Sequence, residues 1–218
     1  MGNKRYTTGE EIANATSHGA GILLGIIVGV FLMRDAFQSE NRWIMVSFAI
    51  YLLGMLSSYV TSTWYHACNN EHRKAILWKF DHGAIYLHIA GTYTPFTLVV
   101  LRDSGAWGWA LFTFVWAAAI VGFVLSFVNL KEHSNLETVC YVVMGGSILV
   151  AFKPLIDCLS AAHSMDILYW LIGGGVSYII GALFYSWTKL RYMHSVFHLF
   201  VLGGSVCHII AIFGILIL

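Results

Sequence analysis

Apolar runs of about 20 residues, the length a membrane-spanning helix needs, recur along this chain with only short polar breaks between them. Seven stretches meet that need: about 17–37, 43–67, 81–101, 106–128, 136–156, 167–188 and 194–217. The expected fold is all-α, an integral membrane bundle of seven transmembrane helices, forming one domain over 1–218. Charge supports it. Only 11% of the 218 residues are charged and 58% are hydrophobic, against about 25% charged in an ordinary soluble domain. So apolar a chain has too little polar surface to face water on all sides. No soluble domain fits in the connections. The sixth run is the weakest, because Gly173, Gly174 and Gly175 interrupt it; glycine is nevertheless tolerated in membrane helices and lets them pack closely.

Composition also excludes some partners. A net charge of +1 implies no nucleic-acid partner. The four cysteines, Cys68, Cys140, Cys158 and Cys207, are scattered, with neither CxxC spacing nor a disulfide framework. The polar N-terminal stretch lacks the apolar run and cleavage site of a signal peptide, so the first apolar helix is expected to stay in the protein.

Lysine and arginine set the expected orientation. Lys4, Arg5, Arg73, Lys74, Lys79, Lys131, Lys189 and Arg191 fall on one side of the seven spans. Arg34, Arg42, Arg102 and Lys153 fall on the other. Eight against four predicts a cytoplasmic N-terminus and a C-terminus outside. Thr7-x-x-Glu10 and Thr8-x-x-Glu11 both fit a capping box, so a short cytoplasmic helix is expected over about 8–16. Glu11, Asn14 and His18 share one face of it. That stripe is expected to lie along the cytoplasmic surface and to turn inward at the first span.

Ionisable groups in spans are costly, so they point to function. Of the ten histidines, His18 begins span one, His66 ends span two, His82 begins span three beside Asp81, and His194 and His198 begin span seven. All these ends lie on the predicted cytoplasmic side, although histidine played no part in the charge count. His194 and His198 stand at i and i+4, a good spacing for two ligands on one metal. His66 supplies a third from another helix. Three neutral imidazoles leave zinc a fourth position for water, as in catalytic sites; nickel, copper or iron suit the same donors.

Two further residues are candidates for catalysis. Ser62 lies one turn before His66 on the same face and can bond a substrate carbonyl, or simply its own helix. Asp81 is the nearby carboxylate, fit to accept a proton from water or, equally, to cap span three or pair with Lys79 or Arg73. His208 lies ten residues beyond His198, about 15 Å deeper, and cannot share its metal. It is read as a packing contact or one side of a cavity, with His88 a neighbour. His72, His133 and His163 sit in loops without a role. Pro95 is expected to kink span three and free a backbone carbonyl.

Five ordered blocks then carry a resemblance: EEIANATSHG at 10–19, STWYH at 62–66, KFDHGAIY at 79–86, AGTYTPF at 90–96 and HSVFHLFVLGGSVCH at 194–208. With them the chain resembles the bacterial haemolysin III-like proteins, within the progestin and adipoQ receptor family. The resemblance implies seven helices, a cytoplasmic N-terminus, the bacterial inner (plasma) membrane, and zinc near the cytoplasmic face. It implies His66, His194 and His198 as the zinc ligands, Asp81 as the aspartate near the metal's water, and Ser62 as the serine before the first ligand. The large N-terminal region of the receptor members is missing here, which speaks against a hormone-receptor role. Three functions stay open. Receptor and ceramidase-like relatives imply a zinc-dependent hydrolase of a membrane lipid amide or ester. The same zinc can instead be structural, in a non-enzymatic regulator of membrane lipid or energy homeostasis. The name of the bacterial branch implies a lytic or ion-conducting protein, for which the spans hold few interior polar groups.

Overall fold

The structure is a computed structural model that describes residues 6–128, 136–187 and 189–218. Lys4, Arg5, Lys131 and His133 lie outside these residues, as does Thr188. Everything regular in the described residues is helical. The elements are α1 (Thr8–Gln38), α2 (Arg42–Ala67), α3 (Glu71–Pro95), α4 (Trp107–Val128), α5 (Leu136–Gly146), α6 (Phe152–Ala161), α7 (Met165–Ser186) and α8 (Met193–Gly214). A π turn, Phe96–Val100, extends α3, and a 3₁₀ turn, Ser147–Ala151, joins α5 to α6 in one rod. The result is seven helical rods among the described residues.

Six of the rods are long and apolar enough to cross a membrane: Thr8–Gln38, Arg42–Ala67, Trp107–Val128, Leu136–Ala161, Met165–Ser186 and Met193–Ile217. The third falls short because α3 is itself polar, carrying Asp81, His82, His88, Thr92 and Thr94, while the apolar Phe96–Val100 belongs to the π turn. Asn70 caps α3 through a bond to the Arg73 amide, so the helix starts ten residues before the expected span. It therefore takes in Glu71, Arg73, Lys74 and Lys79. Surface chemistry fits a lipid solvent. Large apolar side chains such as Leu23, Val30, Leu53, Val121, Leu183 and Leu199 are exposed, while Ser47, Ser62, Thr94, Thr97 and Ser205 are buried. Soluble proteins rarely expose apolar surface on this scale. The chain is a multi-pass membrane protein.

The N-terminal part departs from expectation. No break separates a surface helix from the first span; α1 is continuous for 31 residues, about 46 Å. Thr7 caps it in a full capping box with Glu10. Its polar stripe does not lie on the surface. Asn14 and His18 are buried and Glu11 half-buried, with Glu10 buried beside them, because α1 packs against both α2 and α8 and turns that face to them.

Tight crossings hold the other rods. A Cβ on Gly54 of α2 would sit 2.6 Å from the Leu87 carbonyl oxygen of α3, so only glycine permits this approach. The triple glycine does not break α7. Gly174 makes room for the His208 ring of α8, whose Cδ2 would lie 2.2 Å from an added Cβ. At Pro95 the lost amide is absorbed by the π turn, in which the Leu101 amide reaches back to Phe96 at 2.9 Å. The Thr94 and Thr97 hydroxyls bond back to the carbonyls of Ala90 and Tyr93.

Candidate metal centre

The last turn of α2 delivers His66, and the first turns of α8 deliver His194 and His198. One ligand atom from each ring lies within 4.8 Å of the other two. Ring centroids are 5.1 Å apart for His66 and His194, 5.3 Å for His66 and His198, and 4.5 Å for His194 and His198. His66 and His198 are buried and His194 half-buried. Tyr6 and Tyr185 pack against His194 at 5.1 and 5.5 Å between centroids.

Hydrogen bonds set which nitrogen is available. His66 Nδ1 lies 2.7 Å from Glu11 Oε2, a carboxylate that can only accept, so Nδ1 carries the proton. The 3.5 Å approach of Asn14 Nδ2 to that nitrogen is then no hydrogen bond, since both would be donors. His66 Nε2 keeps its lone pair, is buried, and has no hydrogen-bond partner among the described residues. His198 follows the same logic. Its Nδ1 lies 3.2 Å from the Asn14 carbonyl oxygen and 3.0 Å from Ser17 Oγ. Ser17 donates its own proton to the Asn14 carbonyl at 2.9 Å, so both acceptors face Nδ1–H. Metal-bound histidines characteristically donate their second ring nitrogen in this way. The donor set, three imidazoles with no thiolate, suits zinc.

The acidic stripe of α1 completes the surroundings. Glu11 also accepts from Lys74 Nζ at 2.6 Å. Glu10 accepts from the Tyr192 amide at 3.0 Å, just where α8 begins. Asn14 Oδ1 accepts from Ser195 Oγ. His18 stacks on His198 with centroids 3.5 Å apart, and among the described residues neither of its buried nitrogens has a hydrogen-bond partner. The sequence held a signal for these partners in the i, i+3, i+7 spacing of Glu11, Asn14 and His18. That spacing identifies a face, but not what the face packs against. Ser17 and Ser195 carried no such signal.

The two catalytic candidates are placed differently. Ser62 Oγ is buried one turn before His66, and the back-bond to its own helix is not made. Asp81 is buried inside α3 rather than at its start, so it is no N-cap. Among the described residues it pairs with neither Lys79 nor Arg73, and no hydrogen bond or ion pair joins it to the three histidines. It lies 3.9 Å from His82 Nδ1, and His82 Nε2 lies 4.0 Å from Glu137 of α5. Ser126 of α4 donates to Glu137 at 3.2 Å. Deeper in the bundle, His208 Nε2 donates to the Leu171 carbonyl at 3.2 Å. Tyr178 stands between it and His88, 5.3 Å from one ring and 6.3 Å from the other.

Comparison with known proteins gives a consistent answer. The family model described as "Haemolysin-III related" matches residues 6–209. The chain is 40% identical to "Hemolysin-3" of Bacillus cereus, over 90% of this chain and 87% of that one. It is 42% identical to the "Hemolysin-3 homolog" of Bacillus subtilis (strain 168), over 92% and 91%. It is also 28% identical to the human "Monocyte to macrophage differentiation factor", over 96% and 87%. The matched region takes in all three clustered histidines and the α1 face that binds them, and the chain belongs to the haemolysin-III related family.

Proposed function

We propose that this chain is a zinc-dependent hydrolase of lipid amides or esters, working at the cytoplasmic side of a bacterial inner (plasma) membrane. The observation that carries the reading is the convergence of three imidazoles, two of them with Nδ1 already committed to acceptors. Zinc, when bound, supplies a Lewis acid and lowers the pKa of its water toward about 7. His66, His194 and His198 hold it. Ser62, with a buried hydroxyl that spends no bond on its own helix, would donate to the substrate carbonyl oxygen. Asp81, a buried carboxylate 3.9 Å from His82 Nδ1, would be the group that accepts a proton during hydrolysis. Large exposed apolar surface puts acyl lipids next to any opening between rods.

The topology follows the same proposal. All seven rods cross, with the N-terminus cytoplasmic and the C-terminus outside. The third crosses from Asp81 through the π turn; its 20 residues span about 30 Å, the thickness of the hydrocarbon core. Eight of the twelve basic residues then face the cytoplasm. The test is turnover. Purified, zinc-loaded protein is offered a panel of ceramides, other acyl amides and acyl esters in vesicles. Release of fatty acid by wild type, lost in Asp81→Asn with zinc content intact, is the expected result. Zinc retention with no turnover of any acyl lipid sinks the hydrolase.

One observation favours a second reading. Helix α1 packs on both α2 and α8, so a metal held by His66, His194 and His198 would staple two rods across a third. In that case zinc is structural and the protein regulates membrane lipid or energy state without turnover. Asp81→Asn is then silent, while loss of a ligand lowers the melting temperature.

A further inference from the structure

The polar face of α1 is buried or half-buried yet supplies none of the three clustered histidines. Five consecutive or near-consecutive positions of this helix touch the elements that carry them. Glu10 takes the Tyr192 amide at 3.0 Å at the start of α8. Glu11 takes His66 Nδ1 at 2.7 Å and Lys74 Nζ at 2.6 Å. The Asn14 carbonyl and Ser17 Oγ face His198 Nδ1 at 3.2 and 3.0 Å, and the His18 ring lies on His198. Packing alone would be served by apolar side chains. In a bundle core these groups are costly unless each has a partner, and here the partners of three of them are the imidazoles themselves.

Glu11 stands out in this set. It is the carboxylate bonded directly to one of the three histidines. Its bond does two things to His66. It holds the proton on Nδ1, so that Nε2 offers a lone pair, and it fixes the plane of the ring. A carboxylate behind a ligating imidazole also makes the imidazole a better donor. Three neutral ligands bring no charge of their own to a dication, so a negative group behind one of them offsets part of that charge. Lys74 keeps the carboxylate paired, and its ammonium also sits over the Tyr65 ring at 4.9 Å.

We propose that Glu11 is a positioning residue for the metal: through His66 it sets the affinity and geometry of the site, and α1 is thereby a working part of the metal centre. This rests on the proposal that His66, His194 and His198 bind zinc. Asn14 and Ser17 act in the same sense on His198, with a smaller effect, because either acceptor can serve when the other is lost.

The test uses the full-length protein in detergent or nanodiscs. Wild type, Glu11→Gln, Lys74→Met and His194→Ala are compared by zinc dissociation constant, by the visible spectrum of bound cobalt(II), and by melting temperature without metal. Glu11→Gln keeps the size of the side chain and a hydrogen-bonding oxygen, but not the charge. The expected result is about a 10- to 100-fold weaker zinc affinity and a shifted cobalt spectrum, with little change in the metal-free melting temperature. Lys74→Met leaves Glu11 facing His66 alone and is expected to tighten zinc several-fold, which keeps the proposal testable if Glu11→Gln fails to fold. Unchanged affinity and spectrum in both variants, with wild type binding zinc, overturn the positioning role. A lower metal-free melting temperature with unchanged affinity does so too, and makes Glu11 purely structural. Wild type without zinc, or His194→Ala binding as tightly as wild type, overturns the zinc proposal itself and the role of Glu11 with it.

Discussion

Glu11 and His66 stand 55 positions apart in the sequence and share a 2.7 Å hydrogen bond between α1 and α2. The bond decides which imidazole nitrogen carries a proton. It also ties the polar first turns of α1, which start at the Thr7 capping box, to α2. Residues 8–16 pack where the histidines gather, rather than on the membrane surface.

Ser62→Ala separates a folding role from a catalytic one. Among the described residues the Ser62 hydroxyl has no hydrogen-bond partner, so its removal is expected to leave stability unchanged or slightly raised, because a buried unpaired hydroxyl carries a desolvation cost. Turnover of an acyl lipid is expected to fall by about 100-fold, as for loss of an oxyanion donor. Melting curves and fatty-acid release, measured on the same preparation, check both. Full activity in the variant removes Ser62 from the site.

Gly174→Ala is expected to destabilise the protein by about 1–3 kcal/mol, since the new methyl meets the His208 ring at 2.2 Å. Adding His208→Ala removes that clash. The double variant is expected to recover part of the loss, but not all, because the Gly204 carbonyl oxygen lies 3.0 Å from the same Cβ. Thermal melts of the three variants in one detergent decide it. Strictly additive losses would show that α7 and α8 do not meet there.

Tyr59→Phe probes the deeper polar cluster. Tyr59 donates to Ser205 Oγ at 2.7 Å, and Tyr178 OH lies 3.0 Å from the same oxygen. Loss of the first bond is expected to cost about 1 kcal/mol. Ser205→Ala strands both phenols and is expected to cost more. The two changes together are expected to cost less than their sum, which a double-mutant cycle measures.

Legibility in the sequence varied with the kind of information each feature needed. Apolar runs depend on composition alone, and six of the expected spans coincide with long apolar helices. The third rod escaped that pattern because α3 carries polar residues along its length and its apolar end, Phe96–Val100, is a π turn. Spacing was enough to pair His194 with His198 on one helix. Bringing His66 to them rested on charge counting plus family resemblance, and the fold brings their ligand atoms within 4.8 Å. Asp81 was read as a neighbour of that site from its place at a helix end. In the fold it lies 3.9 Å from the neighbouring His82 Nδ1, in a region to which α4 and α5 also present Ser126 and Glu137. The partners of α1 were out of reach of any sequence pattern. A polar stripe shows that a helix has two faces; only tertiary packing decides whether the polar one meets water or imidazole.

Asp81→Asn discriminates between catalytic and structural zinc. In the hydrolase, turnover is expected to be lost while zinc content and melting temperature stay at wild-type levels. In a structural site the variant is silent in every assay. A variant that loses zinc would contradict both, since no bond joins Asp81 to the three histidines.

The central claim is that His66, His194 and His198 form one zinc site, and metal content measures it most directly. Protein purified without added chelator is analysed for zinc, wild type beside His194→Ala. The account predicts close to one zinc per wild-type chain and close to none in the variant, with both still folded. Wild type free of zinc after growth in zinc-replete medium, or equal zinc in both proteins, would contradict it.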